Sequence, residues 1–258
     1  LPIPCPSQTR CLVIYINIPV HNEAPTIGVL LWKIRKVFLE SGRDFRIQVL
    51  DDASTDRTGE VLERYAKRLP LRVIRSDQRL GYGQATERLL RESVRCTRYP
   101  KRDVALVLQG DFTEDPEVLV EMVKRVEGGS DLVAGCIARE DLPRDQRRSR
   151  WLAGLLLGRV LKQAPVSEPL SGPRAFRIIV LRKAFRGRGQ GAAPLVRSDG
   201  WAANLELLAG TTPHARRVEE VPMKLREMER SRESRFRPWW TVRKLLPLRR
   251  VAWPAAQP

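Results

Sequence analysis

The chain has 258 residues, enough for one large domain with a real core, and its 42% hydrophobic and 30% charged content fits a globular protein and excludes a disordered or fibrous one. The 47 Lys+Arg against 30 Asp+Glu give a net charge of +17, which implies anionic company: nucleic acid, an acidic membrane surface or phosphorylated substrates. Cys5, Cys11, Cys96 and Cys136 are scattered without metal spacing and read as reduced thiols of a cytosolic protein, no signal-peptide pattern is present, and the longest apolar run, WLAGLLLG at 151–158, is too short to span a bilayer.

Residues 12–18 (LVIYINI) predict a strand closed by Pro19, and 26–40 predict an amphipathic helix with Ile27, Leu30, Leu31, Ile34, Val37 and Phe38 on one face. IQVL (47–50) predicts a second strand, ending in Asp51 and Asp52; a helix over about 57–68 and a third strand, LRVI (71–74), follow. Gly81 to Gly83 opens a third helix, to about residue 95. VALVL (104–108) is the fourth strand and stops at Gln109, Gly110 and Asp111; Asp115 as N-cap and Pro116 at the first helical position start the next helix. DLVAG (131–135) gives a fifth strand. After residue 140 the rhythm changes: a charged loop over 141–150, a helix over 150–162, a Pro/Ser/Gly stretch over 165–178, a helix over 199–209 and a strand over 216–222. The chain closes with a basic loop over 226–237 and a short amphipathic helix over 238–247, where arginines interleave with Trp239 and Trp240.

Strands that are continuously apolar and alternate with helices predict an α/β fold, a mostly parallel sheet covered on both faces. In such sheets the ligand sits at the carboxyl ends of the strands. Three of those ends carry polar clusters, Asn22 with Glu23, Asp51 with Asp52, and Asp111, and their convergence on one edge defines a site. Asp111, with oxygens from Thr113 and Gln109 beside it, is hard-oxygen ligation of the kind that suits Mg²⁺ or Mn²⁺, ions that complete their shell with phosphates and water. The Asp51–Asp52 pair suits ribose hydroxyls or base N–H donors, while capping accounts for Ser54 and Asp56. Gly81 and Gly83 make half of a GxGxxG but follow the third strand, so NAD is rejected; His21 and His214 have no serine or cysteine partner, so a hydrolase triad has no support.

Together these segments resemble a family 2 glycosyltransferase of the GT-A fold, nearest to dolichol-phosphate mannosyltransferases and bacterial polyprenyl-phosphate glycosyltransferases. IPVHNEAPTI (18–27) resembles the family's opening motif, VLDDASTDRT (49–58) its nucleoside segment and LGYGQA (80–85) its glycine-rich loop. VLQGDFTEDPE (107–117) resembles the Asp-x-Asp metal segment, with Gln109 at the first acid, Asp111 at the second and Thr113 at the third metal-side position. PVSEPLSGPRAFR (165–177), DGWAANLELL (199–208) and EVPMKLREMERSRESRFR (220–237) resemble the later motifs of the lipid-phosphate branch.

The resemblance implies a catalytic domain over 10–225, with a nucleotide half to about 140 and an acceptor half from 141, then a basic segment over 226–258. It implies a GT-A sheet, Rossmann-like and mostly parallel, with a helical, basic acceptor-side region at its C-terminal end. It assigns the nucleotide to Pro19, Val20, Asn22, Glu23, Asp51, Asp52, Gly81, Gly83, Gln109, Gly110, Arg230 and Arg235, with Arg226 as the alternative to Arg230. Asp111 and Thr113 fall to Mg²⁺ or Mn²⁺, Asp111 and Arg174 to catalysis, and Arg139, Arg147, Arg148, Arg174 and Ser171 to the acceptor phosphate. The implied reaction moves a sugar from a GDP- or UDP-linked donor to a polyprenyl phosphate, with inversion. A lipid phosphate is already anionic, so no strong general base is required. The place is the cytoplasmic, inner face of the cell membrane, reached by peripheral contact or a membrane-protein partner. Rival readings are a sugar-hydroxyl acceptor with Glu168 or Asp199 as base, a nucleotide-sugar binder without activity, and a nucleic-acid module; the last leaves the acidic strand ends unexplained, so no nucleic-acid partner is expected.

Overall fold

The structure, a computed structural model, describes residues 12–138, 141–142, 144–186, 194–226, 248 and 253. Strand β1 (Val13–Val20) is buried along nearly its whole length, as an interior strand of a parallel sheet must be. Its side chains alternate. Ile14, Ile16 and Ile18 face a core shared with α1 (Ala24–Glu40) and α4 (Glu117–Glu127); Tyr15 faces a second core shared with α3 (Tyr82–Cys96). Asn17, on the second side, is buried but satisfied: Nδ2 donates to Leu106 O at 3.0 Å and Oδ1 accepts from Ser93 Oγ at 3.0 Å.

The remaining elements are β2 (Asp44–Asp52), α2 (Thr58–Ala66), β3 (Leu71–Ser76), β4 (Val104–Val107), β5 (Leu132–Ile137), α5 (Arg144–Lys162), β6 (Arg174–Arg177), α6 (Ile178–Ala184), α7 (Trp201–Thr211) and β7 (Val218–Met223). The sheet runs β3-β2-β1-β4-β6-β5-β7. All neighbours pair in parallel except β6, which lies antiparallel between β4 and β5. The order reverses between β1 and β4, the topological switch point where such sheets open a crevice for a ligand.

Three expectations change. The charged stretch 141–150 is not a loop throughout: α5 starts at Arg144, with Arg147 and Arg148 exposed on the first part of a helix whose later turns bury Ala153, Leu157 and Val160 against Leu170, Ala202, Leu205 and Leu248. RAFR at 174–177 is a strand, although four residues after a Pro/Ser/Gly stretch carry little strand signal. β2 also extends three residues before and two beyond the apolar run 47–50, so Asp51 and Asp52 are the last residues of the strand. The amphipathic helix expected over 238–247 lies outside the described residues. Among the described residues no helix is long and apolar enough to cross a membrane.

Candidate active site

The turn after β1 and the turn after β2 are laced together. His21 Nδ1 donates to Asp52 O at 2.7 Å, so that nitrogen carries the proton. Asn22 N–H donates to Ser54 Oγ at 2.9 Å, and its side-chain oxygen accepts from Thr55 N at 2.7 Å. Glu23 N–H donates to Thr58 Oγ1 at 2.8 Å. Gly110 fits against the end of β1 because a Cβ there would come within 2.6 Å of Val20 Cγ1 and 3.3 Å of Pro19 O. Pro19, Val20, Asn22, Glu23 and Gly110 therefore share one edge, as their sequence positions imply.

Three non-glycine residues adopt left-handed backbone at this edge: Asn22 (φ 53°), Ala53 (φ 54°) and Phe112 (φ 58°), one after each of β1, β2 and β4. Asparagine tolerates that conformation; alanine and phenylalanine pay for it, and such strain concentrates at functional sites.

The two aspartates of β2 point to opposite sides and do different work. Asp52, 3% exposed, accepts Leu80 N at 2.6 Å and Gly81 N at 2.9 Å, so both of its oxygens anchor the glycine-rich loop. Its place is behind that loop, as a positioning group. Asp51 accepts Ser54 N at 3.1 Å at the strand tip. Gly83 also turns inward: a Cβ there would meet Ser198 O at 2.2 Å, so its smallness serves the packing of α3 on the segment before α7.

Beyond β4, Asp111 Oδ1 accepts Thr113 N at 3.1 Å and the Thr113 hydroxyl at 2.7 Å, a local turn that sets the carboxylate at the switch point. Glu114 was missed by the sequence reading. It is buried, and its two oxygens accept Gln109 N at 3.0 Å and Gln109 Nε2 at 3.2 Å. Burial pushes its carboxyl up to about 8, against the two N–H donors and with help from the Asp111 charge. One residue closer to Asp111 it would have looked like part of the metal motif; at 114 it merged with the acids that start α4. The Arg226 guanidinium lies 4.9 Å from the Phe112 ring and 3.1 Å from Asp115 Oδ2, and the Arg226 backbone N–H donates to Thr113 O at 2.7 Å, so the chain leaving β7 clamps this loop.

Among the described residues no group of three or more His, Cys, Asp and Glu is arranged to hold a metal ion. Asp111, the Thr113 hydroxyl and the Gln109 carboxamide instead offer hard oxygens at one strand tip. That donor set fits a Mg²⁺ or Mn²⁺ ion that arrives with phosphate oxygens and water, not one caged by protein alone.

A groove of about 670 Å³ opens at the end of β5 and along α5. Arg147, Arg150, Trp151, Leu155 and Glu168 line it, with Trp151 59% and Leu155 71% exposed. Arg150 Nη1 lies 2.7 Å from Glu168 Oε2 and its guanidinium 5.4 Å from the Trp201 ring. Burial pushes the Glu168 carboxyl up and the Arg150 guanidinium down, and each partly restores the other's charge. Arg148 is exposed on α5 but does not line the groove.

Arg174 is placed differently from the expectation. It is fully buried, and its guanidinium donates to Asn204 O at 2.7 Å, Pro169 O at 2.6 Å and Ser171 O at 3.0 Å. It shapes the loop ahead of β6 from inside, and burial lowers its pKa to about 10. Ser171 is buried in that loop. Arg139, Arg230 and Arg235 lie outside the described residues.

The sheet order β3-β2-β1-β4-β6-β5-β7, parallel but for β6 and flanked by helices, is that of the GT-A class of fold. The chain belongs to Glycosyl transferase family 2, whose profile matches residues 15–189. It is 29% identical over 120 residues to a dolichol-phosphate mannosyltransferase of Pyrococcus furiosus, covering 46% of this chain and 32% of that one. It is 27% identical over 223 residues to an undecaprenyl-phosphate 4-deoxy-4-formamido-L-arabinose transferase of Edwardsiella ictaluri, covering 86% of this chain and 62% of the relative. The chain thus spans from a third to three fifths of the length of these curated relatives. Glucosyl-3-phosphoglycerate synthase from Mycobacterium tuberculosis, in complex with Mn²⁺, UDP and glucosyl-3-phosphoglycerate, shares the fold: TM-score 0.65, 22% identity, 95% of this chain and 82% of that one.

Proposed function

We propose that this chain transfers a sugar from a UDP- or GDP-linked donor to a polyprenyl phosphate at a membrane surface. The observation that carries the acceptor reading is the groove, where the exposed Arg147 stands beside the outward-facing Trp151 and Leu155, Arg150 being paired with Glu168. Guanidinium groups receive a phosphate, and exposed apolar side chains suit the chain attached to it. The named activities of the curated relatives support the same class of acceptor.

In this reading Asp51 and the Asn22 turn hold the nucleoside, and Asp111, Thr113 and Gln109 hold Mg²⁺ or Mn²⁺. The ion, when bound, offsets the charge of the departing diphosphate. An acceptor phosphate oxygen forms the bond to the anomeric carbon as the bond to the nucleoside diphosphate breaks on the opposite face, with inversion. The acceptor's second pKa is about 6, so it attacks as an anion and no residue has to remove a proton. Both candidate bases of the hydroxyl-acceptor reading are engaged elsewhere. Glu168 is paired with Arg150, and Asp199 Oδ1 accepts Tyr82 N at 2.8 Å and Gly200 N at 3.0 Å. Attachment would be peripheral, on the cytoplasmic face.

The test is transfer of labelled sugar from UDP- and GDP-sugars into the organic phase with polyprenyl phosphate and Mg²⁺ or Mn²⁺, for the wild type and Asp111→Ala. Lipid-linked product that is lost in the variant is expected. Nucleotide-sugar binding with product only on a sugar hydroxyl would refute the acceptor assignment.

A further inference from the structure

A line of polar contacts, partly buried at the glycine-rich loop and fully buried beyond it, runs from the tip of β2 to the loop ahead of β6. Asp52 holds Leu80 N and Gly81 N. The next residue, Tyr82, donates its hydroxyl to Asn204 Oδ1 at 3.0 Å. Asn204, on α7 and 3% exposed, donates Nδ2 to Leu170 O at 3.1 Å and accepts Arg174 Nη1 on its backbone oxygen. Arg174 in turn holds Pro169 O and Ser171 O. Three consecutive carbonyls, 169 to 171, are thus turned inward by two side chains, and Gly172 after them lies directly against Gln109 and Glu114. The tyrosine hydroxyl joins the glycine-rich loop to this assembly. Burial keeps it protonated, so it stays a donor at any working pH.

Building on the proposed function, we infer that Tyr82 and Asn204 are positioning residues that pass the state of the donor-side glycine loop to the acceptor-side loop 167–172. Neither has to touch substrate. A nucleotide that fixes Gly81 fixes Tyr82, and the Tyr82–Asn204–Leu170 contacts then hold the loop carbonyls inward with Gly172 against the β4 tip. Tyr82→Phe deletes one oxygen and leaves every Arg174 contact in place, so the fold survives it. Asn204→Asp keeps the acceptor for Tyr82 and replaces the donor to Leu170 O by an oxygen that repels it, so that contact is broken.

The experiment is hydrogen exchange by mass spectrometry on peptides spanning 80–84 and 167–172, with Mn²⁺ and either UDP or GDP, in the wild type and both variants. In the wild type the nucleotide is expected to slow exchange in both peptides; in Tyr82→Phe and Asn204→Asp it slows 80–84 alone. In parallel, the KM for polyprenyl phosphate is expected to rise about five-fold, the worth of one neutral hydrogen bond, with the donor KM unchanged. Protection that reaches 167–172 undiminished in both variants overturns the inference, as does a wild type protected at 80–84 only. If neither nucleotide slows 80–84 in the wild type, the functional reading itself falls and the inference with it. A fall in melting temperature with both KM values unchanged assigns the pair a purely structural role and also overturns it.

Discussion

Glu114→Gln is expected to stabilise the protein at neutral pH and to remove a slope from its stability–pH profile. The carboxyl is raised from its ordinary 4.5 to about 8 by burial. In the unfolded chain it ionises near 4.5, so between the two values the native state holds a proton that the unfolded state has lost. Stability from this group is therefore complete below pH 4.5 and falls as pH rises toward 8, by up to about 1.4 kcal/mol per pH unit. At pH 7 the penalty is on the order of 3 kcal/mol. Glutamine escapes it. Its oxygen accepts Gln109 N–H, and its amide donates to Gln109 once that carboxamide flips, so both contacts survive. Urea denaturation at pH 5, 6, 7 and 8 in EDTA checks this. The variant and the wild type should agree within about 1 kcal/mol at pH 5 and diverge steadily toward pH 8. Parallel profiles would mean that Glu114 is ionised in the native state, and the burial argument would be wrong.

Ala53→Gly relieves a left-handed alanine at φ 54°. Against the entropy glycine adds to the unfolded chain it should gain about 0.5–1 kcal/mol, read as a shift in the urea midpoint. Gly83→Ala drives a methyl to 2.2 Å from Ser198 O and should cost about 3 kcal/mol, whereas Gly158→Ala, with nothing within 4 Å on α5, should gain up to about 1 kcal/mol in the same assay. Trp151→Ala combined with Leu155→Ala should leave the melting temperature within about 2 °C, because both side chains are mostly exposed, while reducing sedimentation with anionic liposomes.

The first half of the sheet was legible because burial on both faces forces continuous apolar strands, and β1, β2 and β4 could be found from that alone. Their acidic ends pointed to the site for the same reason: a polar cluster at the end of a buried strand has to face outward at the edge. Which of Asp51 and Asp52 faces the ligand was not legible. It depends on strand parity and on where the glycine loop closes, and Asp52 turned out to anchor Leu80 and Gly81. Arg174 misled for a related reason. A sequence shows a guanidinium but not three backbone carbonyls brought round it by residues 169, 171 and 204. Strand β6 was hidden because its four residues carry no period long enough to read, and its place between β4 and β5 is set by tertiary pairing.

In the proposed function, the net charge of +17 and the exposed Trp151–Leu155 pair would divide the work of reaching a membrane. Attraction to anionic lipid contributes about 1 kcal/mol for each basic side chain near the surface and fades within a Debye length of about 8 Å at physiological salt. Charge of this kind would draw the protein in and orient it, but salt weakens such attraction. Apolar side chains that enter the headgroup region are insensitive to salt, and on the proposed reading the position of Trp151 and Leu155 beside Arg147 would put the point of insertion at the groove. The two contributions separate experimentally: raising salt should strip the wild type only partly from anionic liposomes, and the Trp151→Ala, Leu155→Ala protein completely. Equal salt sensitivity of the two proteins would remove the insertion step and leave a surface held by charge alone, with the groove's apolar wall serving the acceptor and not the bilayer.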